Sequence, residues 1–267
     1  MKAHPTAQIS PEANIAEDVE IGPFSLIEGP VTLAAGCRVA SHVILQGDVR
    51  VGEGTRIGAG SIIGADPQSV GFDESIRSGV EIGCRNQIRE YVTIHRSLYE
   101  GQSTKLGDEN FLMTGAHLGH DVIAGNHNVI ANNCLLAGHV MIGNRCFLGG
   151  GTVYHQFMRI GDYVIVRGLS ALGLDIPPFV IAAGVNRIAG LNVVGLRRGG
   201  FSSEDRAAIK RAFDLIYRGG MNLSQALAEA DRQSSWEGPA GQFIDFFREK
   251  SRRGYCLQRF GREPEDQ

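Results

Sequence analysis

The chain has 267 residues, 36 of them glycine and 7% aromatic, with five cysteines and a formal net charge of −3. That length suits one large domain, or a domain with an appendage, and the charge balance argues against nucleic acid as a partner. Cysteines odd in number and without a CxxC pair argue against a disulfide framework and fit a reducing compartment.

The N-terminal MKAHPTAQIS lacks the apolar core of a signal peptide. No stretch approaches the ~20 apolar residues of a membrane span. A cytoplasmic protein without a membrane segment is therefore expected. From Ile9 a period of six takes over: Ile15, Ile21, Ile27 and Leu33 follow, and the steps continue through Val39, Leu45, Val51 and Ile57 to Ile63. The register breaks, resumes at Ile82, Ile88 and Ile94, breaks again, and runs from Leu106 to Leu172. Only Ala124 and Tyr154 leave the aliphatic class. Helices repeat every 3.6 residues and half-buried strands every two, so a six-residue step predicts a parallel β-helix with three hexads per coil. Small residues recur four positions after the aliphatic ones, among them Ser25, Cys37, Thr55, Cys134 and Cys146. Those cysteines are read as corner packing. Glycine often follows the aliphatic residue directly, as at Gly22 and Gly52, and is read as permitting the backbone bend.

The two breaks, about 65–79 (ADPQSVGFDESIRSG) and 97–105 (SLYEGQSTK), are polar and predict loops thrown out from the solenoid. Next comes GAHLGHD at 115–121. With eighteen residues per coil, Asp121 stacks on His139, and His120 on Gly138 and then Gln156, beside His155. Sequence distance hides a patch spanning three coils and facing outward. Three readings stay open: a metal centre, since histidine is a common zinc ligand; an aspartate-oriented general base; or surface histidines. The second needs a covering surface, because an exposed Asp–His pair contributes only ~0–1 kcal/mol. A cyclic trimer burying flat flanks would supply one, and the Gly138 N–H would then be an oxyanion donor. His4, His42 and His127 lie elsewhere.

The hexads stop after Pro177-Pro178, giving a β-helix over 1–184 and a connection with helices over 185–267. Helices are expected over 202–217, capped by Ser202 and Asp205, over 223–232 and over 239–250. They should pack beside the last coil and guard its edge. The closing GREPEDQ is read as disordered. From 197 onward, 13 Lys+Arg face 11 Asp+Glu, against 13 and 18 in the rest. This mildly basic surface is either a solvated face or a dock for an acidic protein.

IREYVTIHR (88–96), HLGHD (117–121), IANNCLLAGHV (130–140), YHQF (154–157) and DIPPFVIAAG (175–184) resemble the UDP-N-acetylglucosamine acyltransferases that begin lipid A synthesis. The resemblance implies a left-handed β-helix and a cytoplasmic homotrimer with active sites between subunits. It implies transfer of a 3-hydroxyacyl group from acyl carrier protein to the 3-hydroxyl of UDP-N-acetylglucosamine, with no metal or other cofactor. His120 matches the family's base, Asp121 its orienting partner and Gly138 its oxyanion glycine. His117, His139, His155 and Gln156 match supporting positions, Gly168 a glycine that makes room for the acyl tail, and Asn192 and Arg198 nucleotide-side positions. The acidity of acyl carrier protein favours the docking reading of the basic helices.

Departures cluster on the acceptor side. PQSVG replaces the usual P-Q-D-L-K, so Ser69 stands for a sugar-contacting aspartate and Gly71 for a lysine. Val194 stands where some members have glutamate, Gly199 shortens a basic run, and Arg167 precedes Gly168 where a second glycine is common. Asp73, Glu74 or Arg77 would have to compensate. Otherwise the acceptor differs, a UDP-sugar with a 3-amino group being the first alternative. A carbonic-anhydrase-like zinc lyase and an inactive paralogue that only binds are the more remote ones.

Overall fold

The computed structural model describes residues 1–233 and 236–259; the GREPEDQ tail lies outside them. As far as Ala171–Leu172 the chain winds through three sheets in strict rotation, the strands mostly two residues long; the last three strands all join the first sheet. Among the described residues the sheets hold twelve, nine and eight strands. They form the faces of a left-handed triangular prism. All neighbours are parallel except Val180–Ala183 and Arg187–Leu191, which pair antiparallel.

The repeat sets the register. Lys2 pairs with Glu20, Glu20 with Arg38 and Arg38 with Arg56, each one eighteen-residue coil on. Arg56 then pairs with Gln87, and Gln87 with Phe111, because each inserted loop lengthens its coil. The eighteen-residue rule thus fails at the two breaks and again at the end of the solenoid, where Ile165 pairs with Ile181; it holds in the coils between. The loops are 66–78 and 97–102, shorter than the sequence suggested, since Gly79–Ile82 and Ser103–Leu106 already belong to the third sheet.

The aliphatic column fills the prism. Ile27, Leu45, Ile63, Ile94, Leu118 and Leu136 are at most 1% exposed, and Ala124 and Tyr154 keep the column closed at 3% each. Each fully buried aliphatic side chain contributes roughly 1.5–3 kcal/mol before entropy is counted. Cys37, Cys134 and Cys146 are buried at corners, as read. The small polar residues there also satisfy backbone carbonyls: Ser25 Oγ donates to Ala40 O at 2.7 Å and Ser61 Oγ to Arg89 O at 2.9 Å.

The glycines after the aliphatic residues have a different reason from the one expected. Gly22 and Gly52 are not among the positive-φ residues. A Cβ on Gly22 would lie 2.7 Å from Ala40 C, and one on Gly52 2.6 Å from Gly83 C. They allow the next coil to approach. The left-handed bend comes later in the turn, at residues such as His42, Asp121 and His139.

Beyond the last coil, a short helix absent from the sequence reading, α1 (Val193–Arg198), is capped by Asn192. It precedes α2 (Ser203–Arg218), α3 (Leu223–Arg232) and α4 (Gly238–Arg248). The Ser202–Asp205 capping box forms as expected. α4 stops two residues early, where Glu249 turns extended. Ile209, Phe213, Phe243, Ile244 and Phe247 are buried between the helices. At this end the first sheet is extended past the last coil: Val180–Ala183 is followed by Arg187–Leu191, which pairs in turn with Gln258–Arg259. The helical unit is tied to the solenoid by Arg159, which bonds Asp175 at 2.8 Å and also reaches Glu249.

Candidate active site

Both inserted loops leave the same edge of the prism, where the chain passes from the second sheet to the third. His120 and Asp121 sit on that edge one coil later, in the turn between His117–Leu118 and Ile123–Ala124. Gly138 and His139 follow on the next coil, then Gln156 and Phe157. Asp121, His139 and Phe157 all take left-handed φ, at 60°, 61° and 68°. They therefore stack as one column at the outer bend.

His120 Nδ1 lies 2.9 Å from Asp121 Oδ2, the pair only 14% and 8% exposed. The sequence placed this pair in the open unless a neighbouring subunit covered it. The chain's own second loop already covers it: Ser97 Oγ donates to Asp121 Oδ1, and the Leu98 N–H to Oδ2 at 3.2 Å. The Asp121 N–H donates to Thr104 Oγ at 2.8 Å, which holds the turn. Burial alone raises the Asp121 pKa, but hydrogen bonds from His120, Ser97 and Leu98 outweigh it and set it below the ordinary carboxylate value. The dyad aspartate is charged at neutral pH.

The His120 ring lies against Gly138. A Cβ there would stand 2.4 Å from His120 Cε1 and 2.5 Å from Nε2, so only glycine admits the ring in this place. His139 Nε2 is 3.8 Å from Asp121 Oδ2, and its ring meets that of His120 edge-on at 5.1 Å. Phe157 stacks under His139 at 4.4 Å, Arg252 lies over Phe157 at 5.1 Å, and Tyr99 of the second loop stands 5.8 Å away on His139. Burial lowers the His139 pKa; His120 and Arg252 add to this, and Asp121 opposes it.

His117 is on the strand leading into the turn, its Nδ1 2.7 Å from Thr93 Oγ1. Burial, then the positive potential of His95 and His120, lowers its pKa to about 4, so it is neutral at working pH. His95 is buried and bonds the Asp66 carbonyl. Arg96 pins the first loop through Asp66 at 2.7 Å, Ser78 at 3.0 Å and the Ile76 carbonyl, with Phe72 stacked on its guanidinium at 4.8 Å. Sequence reasoning did not name Thr93, His95, Arg96, Ser97 or Thr104 as site residues. A signal was present: the aliphatic column realigns Ile94 with Leu118 across the break, which also brings Ser97 beside Asp121.

The other sequence-derived residues lie further out. His155 and Gln156 are exposed on the same edge, one coil beyond Gly138. Gly168 is exposed on a different edge, where the first sheet passes to the second. Asn192 is buried, its amide donating to Tyr163 O and accepting from Gly195 N, both at 2.8 Å. Arg198 is exposed at the end of α1. Ser69 is half-buried in the first loop, and Gly71 takes φ 78°, a conformation a lysine would hold under strain. Asp73 is turned onto Ser75, accepting from its N–H at 2.9 Å and its hydroxyl at 2.6 Å.

His120, Asp121 and His139 offer ligand atoms within 4.8 Å of one another. Both Asp121 oxygens, however, already accept hydrogen bonds. The arrangement is that of an oriented imidazole lying against the buried Gly138 backbone, suited to moving a proton beside a main-chain N–H. Among the described residues no helix is long and apolar enough to cross a membrane.

A family model described as UDP N-acetylglucosamine O-acyltransferase, domain 2, matches residues 175–256. The chain is 42% identical over 210 residues to the acyl-[acyl-carrier-protein]–UDP-N-acetylglucosamine O-acyltransferase of Synechocystis, covering 78% of this chain and 75% of that protein. It is 40% identical over 255 residues to the protein of the same name from Halorhodospira halophila, covering 95% and 98%. The solved UDP-N-acetylglucosamine O-acyltransferase of Moraxella catarrhalis superposes with a TM-score of 0.90 at 36% identity, covering 96% of this chain and all of that one at 100%.

Proposed function

The chain belongs to the UDP-N-acetylglucosamine O-acyltransferase family, and from that premise we propose that it moves a 3-hydroxyacyl chain from acyl carrier protein to the 3-hydroxyl of UDP-N-acetylglucosamine, the first step of lipid A synthesis. The observation that carries the residue assignment is the His120–Asp121 pair seated on Gly138. His120 Nδ1–H is fixed on Asp121, leaving Nε2 free to take the sugar hydroxyl proton. The sugar oxygen attacks the thioester carbonyl while its oxygen turns toward the Gly138 N–H. As the C–S bond breaks, the thiolate leaves with the proton held by His120. Acid, base and leaving group balance with no further reactant.

His117, His139, His155 and Gln156 line the approach on the same edge. Gly168 and the nucleotide-side Asn192 and Arg198 lie away from it within one chain, so they serve a site completed by a second copy. A homotrimer is supported by the outward aliphatic and aromatic residues of the middle coils: Ile123, Met141, Leu135, Val153 and Phe147 are 42–48% exposed, and each of the three faces carries at least one. Asn192 reaches a ligand only if its capping bonds give way, so its place in the proposal is to shape α1 and Arg198. A protein without a membrane segment, working in the cytoplasm, fits this reading.

The experiment is acyl transfer from hydroxyacyl carrier protein. His120→Ala should remove about 10²–10⁴ of turnover without changing the melting temperature or the oligomer; near-normal turnover sinks the assignment. One observation favours a second acceptor: Ser69 and Gly71 carry no charge, and Asp73 is committed to Ser75. UDP-N-acetylglucosamine and its 3-amino analogue should be assayed side by side. A preference for the amine, which is the better nucleophile, would assign the altered loop to acceptor choice.

A further inference from the structure

We propose that Ser97 is a positioning residue for this reaction, a joint that ties the first inserted loop to the Asp121 carboxylate and so fixes the His120 ring and the pH at which it works. The inference rests on the reading of His120 as the base. Ser97 is fully buried, at 0% exposure. Its hydroxyl donates to Asp121 Oδ1 and accepts the Tyr99 N–H at 3.0 Å. Its carbonyl accepts Ser78 Oγ–H at 2.6 Å, at the end of the first loop. The two loops are joined again where the Arg77 N–H meets Glu100 at 2.7 Å and the Gly101 N–H meets the Arg77 carbonyl at 2.8 Å.

The geometry gives Ser97 two effects. A carboxylate held only through Oδ2 is free to turn about its last bond and carry that oxygen away from His120. A donor on Oδ1 stops the rotation. The same donor draws charge from the carboxylate and leaves less of it to stabilise a protonated imidazole. Ser97 therefore holds the base in place and tempers the carboxylate charge that faces it. The groups facing the ring are Asp121, His139 and His117, with His95 behind His117, Arg252 reaching His139 through Phe157 and Tyr99 above it. None of them is altered in the variants below.

The test compares Ser97→Ala, Ser97→Thr and Ser78→Ala by kcat, KM, melting temperature and the pH profile of kcat/KM. In Ser97→Ala, kcat falls about fivefold, the loss expected for one hydrogen bond, with KM little changed. The acid limb of kcat/KM, where the base takes up its proton, moves to higher pH by roughly half a unit or more. Ser97→Thr restores both, and Ser78→Ala leaves the limb in place. If the alanine variant fails to fold, Ser97→Cys, a weaker donor of similar size, should show the same shift in smaller measure. A wild-type kcat and an unmoved limb in Ser97→Ala overturn the inference. So does a loss of activity that follows melting temperature alone with the limb unmoved. The two levels separate cleanly: an active His120→Ala removes the base itself, whereas an inactive His120→Ala beside an unaffected Ser97→Ala removes only the joint.

Discussion

His127 and His139 occupy the same kind of turn on different edges of one prism. Their backbones match, with φ of 57° and 61°. His127 stands where the third sheet passes to the first, its side chain 37% exposed and 3.3 Å from Glu109. That edge carries a ladder of buried amides: the Asn110 N–H bonds Asn86 Oδ1, and the Asn128 N–H bonds Asn110 Oδ1, both at 2.8 Å. The ladder satisfies its own donors and leaves nothing for a substrate. His139 stands on the edge from which both loops are inserted, half as exposed at 18%, between Asp121, Tyr99 and Phe157. The turn is thus neutral with respect to chemistry. The roof laid over it decides whether a histidine there is solvated or functional.

Gly138→Ala tests the floor under that roof most severely. Its Cβ would fall within 2.5 Å of the His120 ring, and displacing a reacting group by about 1 Å costs on the order of a hundredfold in kcat. The fold should survive, because the atom it strikes is a side chain. A kcat within a few-fold of wild type would mean that the ring does not work in this position. A smaller effect concerns stability. The His117 pKa is lowered to about 4 from 6.5, so between those values the unfolded chain binds a proton that the folded chain refuses. Stability is then full above pH ~6.5 and is lost as pH falls toward ~4, by on the order of 2 kcal/mol. Denaturant melts of wild type and His117→Gln across that window check it; parallel slopes would show that His117 is not the group responsible. The smallest effect is expected on the other edge: His127→Ala should leave turnover unchanged and stability within ~0.5 kcal/mol. A marked loss of activity there would erase the contrast between the edges.

The family resemblance and the column arithmetic agreed on His120, Asp121, Gly138 and His139, because all four lie in coils of uniform length. Ser97 and Thr104 escaped the arithmetic because they sit beside an insertion, where one coil is lengthened and eighteen no longer counts residues correctly. The glycines after the aliphatic column were legible as required but misread in cause, since coil-to-coil clearance is invisible until the coils are stacked. Asn192 was legible by resemblance, yet its amide is spent capping a helix that no periodicity announced.

The amino-acid order by itself determined the solenoid, its interruptions and the helical tail. A short-range repeat with aliphatic residues at every sixth position has only one economical way to bury them. Tertiary structure alone decided that both interruptions leave one edge, that the second folds over Asp121, and that the carboxylate is saturated by a serine twenty-four residues earlier. Those contacts depend on the angle at which a loop leaves a rigid coil and on where its polar atoms find partners, and neither quantity is written in a local pattern.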